Sequence, residues 1–226
     1  MSANPGRADL RHVGTWLFDL DNTLYPADSG FMAQFSERMT QYVERLTGLP
    51  RDEAFRLQKQ YLADYGLTLG GLIAHHGVDP KAFHEQFHDL SLEVLAHDPA
   101  MLAALAGLPG RRLIFTNADA VHAERILAKL EIEHLFEGVF HIGSADYVGK
   151  PDASAFAKIV AAHAIDPAAT AFFEDSERNL KPAADLGMTT VLVGPAAPAS
   201  TTPFIDYKTD NLASFLDDAL TSKARA

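Results

Sequence analysis

Cysteine is absent from the 226-residue chain, which excludes a disulfide framework, a thiolate metal site and a cysteine nucleophile. A basic excess is absent too: 19 Lys and Arg stand against 30 Asp and Glu, a formal net charge of -11. Nucleic-acid polymers bind through Lys and Arg that neutralise their phosphates, so no such partner is expected. A small phosphorylated ligand needs only one cation and a few backbone N–H groups, and it stays open. No apolar run approaches the roughly 18 residues of a membrane span. The segment MSANPGRADLRH is charged and lacks the apolar centre of a signal peptide. A soluble, cytoplasmic protein without a membrane partner is therefore expected, as a monomer or homodimer. The Gly-Lys-Ser/Thr ending of a Walker loop is missing as well, since Lys150 precedes Pro151.

What is present reads as a globular protein, with 47% hydrophobic and 22% charged residues. Four short runs rich in aromatic and β-branched residues predict strands: GTWLF (14–18), RRLIFT (111–116), TAFFE (170–174) and TTVLV (189–193). GVFHI (138–142) is a weaker fifth. None alternates cleanly, as expected of strands covered on both faces. Helical patterns lie between them at 119–132, with Val121, Ile126, Leu127 and Leu130 on one stripe, and at 151–165 and 179–187. A closing helix is expected at 211–221. This alternation predicts an α/β doubly wound, Rossmann-like core with a parallel sheet.

One interval, 26–98, shows no strand pattern. It shows amphipathic helical patterns at 31–48, 51–66 and 79–95, with breaks at Gly48-Leu49-Pro50, Gly66, Gly70-Gly71 and Asp79-Pro80. The predicted organisation is a core of 1–25 and 99–226 carrying an all-helical inserted cap of 26–98.

Ligands of open parallel sheets bind beyond the carboxyl ends of the strands. The first predicted strand runs into Asp19 and Asp21, followed by Thr23; the second into Thr116 and Asn117; the TAFFE strand into Glu174 and Asp175. Lys150 follows the weak strand. Any one of these fits a turn or a helix cap, but turns do not explain their coincidence at one sheet edge. Four carboxylates with one lysine would repel a phosphate unless a hard cation joined them, and an all-oxygen set suits Mg²⁺. Thr116 and Asn117 can donate hydrogen bonds to phosphoryl oxygens.

In order and spacing, DLDNTLY, TNA, GKPD and FEDSERN resemble the four motifs of the haloacid dehalogenase-like superfamily, over about residues 14 to 193. The resemblance implies a phosphomonoesterase with Asp19 as nucleophile and Asp21 as general acid and then base, its pKa raised for the task. It implies Mg²⁺ held by Asp19, the Asp21 backbone carbonyl and Asp175, with Glu174 in direct or indirect contact. Thr116, Asn117 and Lys150 would bind phosphate. Asn179 stands where many relatives carry an acid, which leaves it to orient Lys150 or a water at the metal.

Stretches 65–90, TWLFDLDNTLYP, LPGRRLIFTNAD and 136–152 are similar to the pyrimidine 5'-nucleotidase branch, implying a nucleoside monophosphate such as UMP or CMP as substrate. Phosphatases or mutases of other small metabolites, a dehalogenase and a non-catalytic phospho-ligand binder are the alternatives. Tyr25, Tyr65, Thr68, His75 and His76 are the candidates to touch a nucleoside. His84, His88 and His97 read as surface or capping residues, the Met and Phe residues of 31–42 as packing, and Lys59 and Lys81 as solvated. Hinges are expected at about 24–28 and 98–101.

Overall fold

The structure is a computed structural model and describes residues 8–223. Six strands, all parallel, form one sheet: β1 (Thr15–Phe18), β2 (Arg111–Phe115), β3 (Gly138–Phe140), β4 (Thr170–Glu174), β5 (Thr189–Val193) and β6 (Tyr207–Thr209). Their order across the sheet is β3-β2-β1-β4-β5-β6. Between β1 and β2 come helices α1 (Phe31–Thr47), α2 (Arg51–Tyr65), α3 (Thr68–His76), α4 (Pro80–Glu85) and α5 (Pro99–Gly107). The crossovers α6 (Ala120–Leu130), α7 (Ala153–His163) and α8 (Glu177–Asp185) follow β2, β3 and β4, and α9 (Leu212–Lys223) closes the described chain. This is the doubly wound α/β sheet that the alternation predicts.

The near-continuous apolar strands have a simple cause. Successive side chains point to opposite faces, and both faces are covered. Trp16, Phe18, Ile114, Phe173 and Val191 enter one core with α5, α6 and α9, while Leu17, Leu113, Phe115, Phe172 and Leu192 enter another with α7 and α8. Packed rings fix the centre of the sheet, with Phe18 stacked on Phe173 at a centroid distance of 4.7 Å.

Four local readings change. Strand β6 carries no apolar strand pattern because Tyr207-Lys208-Thr209 is short and polar, as an edge strand can be. Helix α3 runs straight through Gly70-Gly71: a Cβ at Gly71 would lie 2.2 Å from the Tyr61 ring, so these glycines let α3 press against α2 rather than break it. The pattern at 79–95 is helical only to Glu85. Beyond it, Arg38 takes the carbonyl of Gln86 (2.9 Å) and Arg125 that of Leu90 (2.8 Å), so side chains replace the helical amides. In α6, Val121 is exposed and His122 takes its place on the buried stripe with Ile126, Leu127 and Leu130.

Candidate active site

Strand β1 lies between β2 and β4 with Phe18 level with Phe173, so the parallel register sets Asp19 beside Glu174. Asp19 is held there by its own N–H, which donates to the Phe173 carbonyl at 2.9 Å. The Lys150 ammonium fills the space between them, donating at 2.7 Å to each of Asp19 Oδ1, Glu174 Oε2 and the Phe115 carbonyl. An ammonium has three donors, and all three are used. The rings of Phe115 and Phe172 lie 5.1 and 5.3 Å from the same nitrogen. Burial alone would push the Lys150 ammonium down, but Asp19 and Glu174 outweigh it and hold it above its ordinary value.

The carboxylates respond differently. Burial and then the charge of Glu174 push Asp19 up to about 7. Burial raises Glu174 to about 7, with Asp175 adding to it, and burial with Asp19 raises Asp175 to about 6. Asp21 departs from the raised pKa expected of an acid catalyst. Burial works to raise it, but His122 and Tyr25 outweigh that and hold it below the usual carboxylate range. Tyr25 Oη donates to Asp21 Oδ1 at 2.6 Å, and His122 Nε2 lies 2.8 Å from the same oxygen. A carboxylate only accepts, so His122 carries its proton on Nε2.

Among the described residues, Asp19, Glu174 and Asp175 form one cluster able to hold a metal ion, with ligand oxygens within 4.8 Å of one another. The chemistry of this donor set fits a hard divalent cation: three carboxylates, all oxygen donors, face one lysine. Neighbours orient each one. Thr23 Oγ1 donates to Asp19 Oδ2 (3.2 Å) and Asn22 Nδ2 to Asp175 Oδ2 (3.2 Å). Asn179 Nδ2 donates to Glu174 Oε1 (3.0 Å), so it orients Glu174 rather than Lys150. Asn22 has φ 61°, and its Oδ1 is buried without a hydrogen-bond partner beside the cluster. Both oxygens of Glu174 already accept protein hydrogen bonds.

Above the carboxylates opens a cavity of about 490 Å³, lined by Asp19, Asp21, Thr116, Asn117, Lys150, Glu174, Asp175 and Asn179 at its base. Asn117 is there, but its amide is engaged: Oδ1 accepts from the Lys150 N–H (2.8 Å) and Nδ2 donates to the Lys150 carbonyl (3.0 Å). It therefore shapes the Lys150 loop, while its NH2 group keeps a second N–H beyond the one given to the Lys150 carbonyl. Gly149 permits this approach, since a Cβ would lie 2.6 Å from Asn117 Oδ1. Thr116 Oγ1 accepts from the Ala118 N–H at 3.0 Å.

Of the five nucleoside candidates, only Thr68 lines the cavity, and its hydroxyl donates to the Gln58 carbonyl (3.3 Å). Tyr25 is buried against Asp21. Tyr65 is exposed and bonded to His75, and His76 is bonded to Tyr61, all away from the cavity. The upper wall is instead built from Met32, Phe35 and Met39 of α1, expected as packing, from Lys59, His84 and His88, expected at the surface or as caps, and from Gln58, Phe83 and Phe87. His122 could have been found from the spacing His122, Ile126, Leu130 on one helical stripe; the others carried no local signal.

His84 yields a stability prediction. Its Nε2 is buried without a partner, and burial depresses its pKa from 6.5 to about 4, with Asp119, His122, His88 and His141 nearby. The unfolded chain then binds this proton below pH 6.5 while the folded one does not, so stability falls as pH drops from 6.5 to about 4. His84→Leu is expected to remove on the order of 3 kcal/mol of that acid-side loss, read as the difference between urea unfolding curves of the two proteins across this range.

The sheet order, the acidic site at the strand ends and the helices inserted after β1 define a doubly wound α/β protein of the Rossmann-like class. The chain belongs to the haloacid dehalogenase-like hydrolases, whose family profile matches residues 13–187. Phosphate metabolism protein 8 of Saccharomyces cerevisiae is 29% identical over 189 residues, covering 76% of this chain and 59% of the yeast protein. The chain thus spans less than two thirds of that relative. Among solved structures, a HAD phosphatase from Thermococcus onnurineus is similar in fold (TM-score 0.63, 17% identity, 91% of this chain and 97% of that one). A HAD-hydrolase from Bacillus subtilis bound to magnesium (TM-score 0.59, 14% identity, 92% and 98%) shares the fold too. So does the L-2-haloacid dehalogenase of Xanthobacter autotrophicus (TM-score 0.57, 17% identity, 95% and 100%). No described helix is long and apolar enough to cross a membrane.

Proposed function

We propose that this hydrolase is a Mg²⁺-dependent phosphomonoesterase, acting through an aspartyl-phosphate on Asp19, with pyrimidine nucleoside monophosphates such as UMP and CMP as substrates. One observation carries the reading: a single cavity joins the carboxylate cluster to an aromatic upper wall. Asp19, Asp175 and the Asp21 backbone carbonyl would hold Mg²⁺. Glu174, both of whose oxygens already accept protein donors, would act at one remove. Bound there, the cation supplies charge neutralisation to the phosphoryl group and its surroundings. Lys150 keeps Asp19 in place and Thr23 steadies its second oxygen.

Asp19 attacks phosphorus, and the P–O ester bond breaks as the leaving oxygen takes a proton from Asp21. Water then attacks phosphorus, gives its proton to Asp21 and releases phosphate, restoring Asp19. In the resting site Asp21 is ionised, and the dianionic substrate brings the negative charge that favours its protonation. Helices α1 to α4 would serve as a cap that excludes bulk water. Contacts between residues 26–98 and the core support this role: Arg178 donates to the Leu62 carbonyl at 3.0 Å, and His88, just past α4, lies 2.5 Å from Asp119.

The upper wall favours a nucleoside over a sugar. Phe35 and Phe87 stack at 4.5 Å, with Met32, Met39, Leu69 and Phe83 around them. A base presents a flat apolar face to these rings and polar edges for Gln58 and His84. The name of the yeast relative, a protein of phosphate metabolism, agrees with a phosphate ester. A haloacid would bring its own carboxylate against four others, with Lys150 already saturated.

Phosphate release is to be measured with and without Mg²⁺ over UMP, CMP, dTMP, AMP, GMP and several sugar phosphates. Metal-dependent release confined to pyrimidine nucleotides supports the reading. Release from sugar phosphates alone removes the nucleotidase assignment. Phe35→Ala is expected to raise KM for UMP about tenfold, the worth of one stacked base, and to leave KM for a small alkyl phosphate within a factor of two or so.

A further inference from the structure

Asp21 receives two side-chain hydrogen bonds, and both end on Oδ1: Tyr25 Oη at 2.6 Å and His122 Nε2 at 2.8 Å. Among the described residues, no group donates to Oδ2. The terminal torsion of an aspartate is a broad, roughly two-fold rotor, so two donors on one oxygen determine where the other points. Behind both donors lies one residue. Phe31, fully buried at the start of α1, meets the Tyr25 ring edge-on at 6.0 Å and 90°, and the His122 ring at 5.6 Å and 49°. Phe35, one turn on, stands edge-on to His122 at 6.1 Å. The participants come from three places: Tyr25 from the segment after β1, His122 from the crossover α6, and Phe31 with Phe35 from the inserted helical block.

We infer that Tyr25, His122 and Phe31 form a positioning clamp: Phe31 seats the two donors, and they fix Oδ1 so that Oδ2 delivers the proton to the leaving oxygen. This rests on the phosphomonoesterase reading and adds a consequence to it. The first inserted helix sets the geometry of the acid, as well as lining the cavity. None of the three need touch substrate.

Leaving groups separate this role from a structural one. An alkoxide needs a proton to depart, whereas p-nitrophenolate leaves without one. The comparison is made in kcat/KM, which extends only to leaving-group departure and so omits the later water step. His122→Ala and Tyr25→Phe are assayed on p-nitrophenyl phosphate and on the fastest alkyl ester of the panel, which is UMP on the reading above. The expected loss on the alkyl ester exceeds that on the aryl ester by about 30- to 100-fold for His122→Ala, at or below the low end of the roughly 10²- to 10⁴-fold that a whole general acid contributes. Tyr25→Phe and Phe31→Leu give the same signature, smaller in size. His122→Gln, which keeps a donor, recovers part of the alkyl activity. Equal losses on the two esters overturn the clamp while leaving the phosphatase reading standing. A wild-type enzyme inert to both esters overturns the phosphatase reading and the clamp together.

Discussion

Asp19→Asn abolishes phosphate release, with a fall in kcat of about 10⁴-fold or more, as for loss of a nucleophile. The variant also isolates chemistry from folding. Asn is isosteric, its carbonyl oxygen can still accept from Lys150 as Asp19 Oδ1 does at 2.7 Å, and Thr23 can still bond the side chain. One negative charge leaves a buried cluster whose members already hold each other at raised pKa. The thermal midpoint of the metal-free variant is therefore expected at or above that of the wild type. Lost activity with a lowered midpoint would point to a folding defect instead.

Lys150→Met carries the second large effect, a fall in kcat/KM of about 10³-fold, comparable to removing a preorganised electrostatic group. Lys150→Arg is not expected to rescue it. Three acceptors surround a compact ammonium at equal 2.7 Å distances, between the rings of Phe115 and Phe172, and a planar guanidinium cannot satisfy that triangle. Stability changes in a pH-dependent way. Without the cation, Asp19 and Glu174 rise further above about 7. The folded state then holds protons that the unfolded state has released, so stability falls as pH rises from about 4 towards neutrality and levels off above the folded pKa. Calorimetry should show the fall continuing to higher pH in the variant than in the wild type, where it levels off above about 7.

The sequence made the strand-borne half of the site legible because that half is local. Each motif ends a strand, and the parallel register brings strand ends together, so Asp19, Glu174, Asp175, Thr116 and Lys150 could be placed at one edge from spacing alone. Roles that depend on which acceptor a donor reaches were not legible. Asn117 ties itself to the Lys150 backbone, Lys150 spends all three donors on the protein, and Asn179 reaches Glu174. The cavity's upper wall was hidden for another reason. Phe35 and Met39 satisfy the same helical periodicity whether they face a core or a ligand, and only the packing of α1 against its neighbours decides between them. Tyr25 and His122 show the limit most clearly. They lie 97 residues apart in sequence, yet share one oxygen of Asp21.

The most direct test is to trap the phosphorylated enzyme. UMP and Mg²⁺ are mixed with the wild type and with Asp19→Asn, the reactions are quenched within one turnover in borohydride, and the peptide spanning β1 is analysed by mass spectrometry. Borohydride reduces an acyl phosphate to the alcohol, so Asp19 should be recovered as homoserine in the wild type and as unmodified Asn in the variant. Phosphate released at full rate while Asp19 stays intact throughout would contradict transfer through this residue.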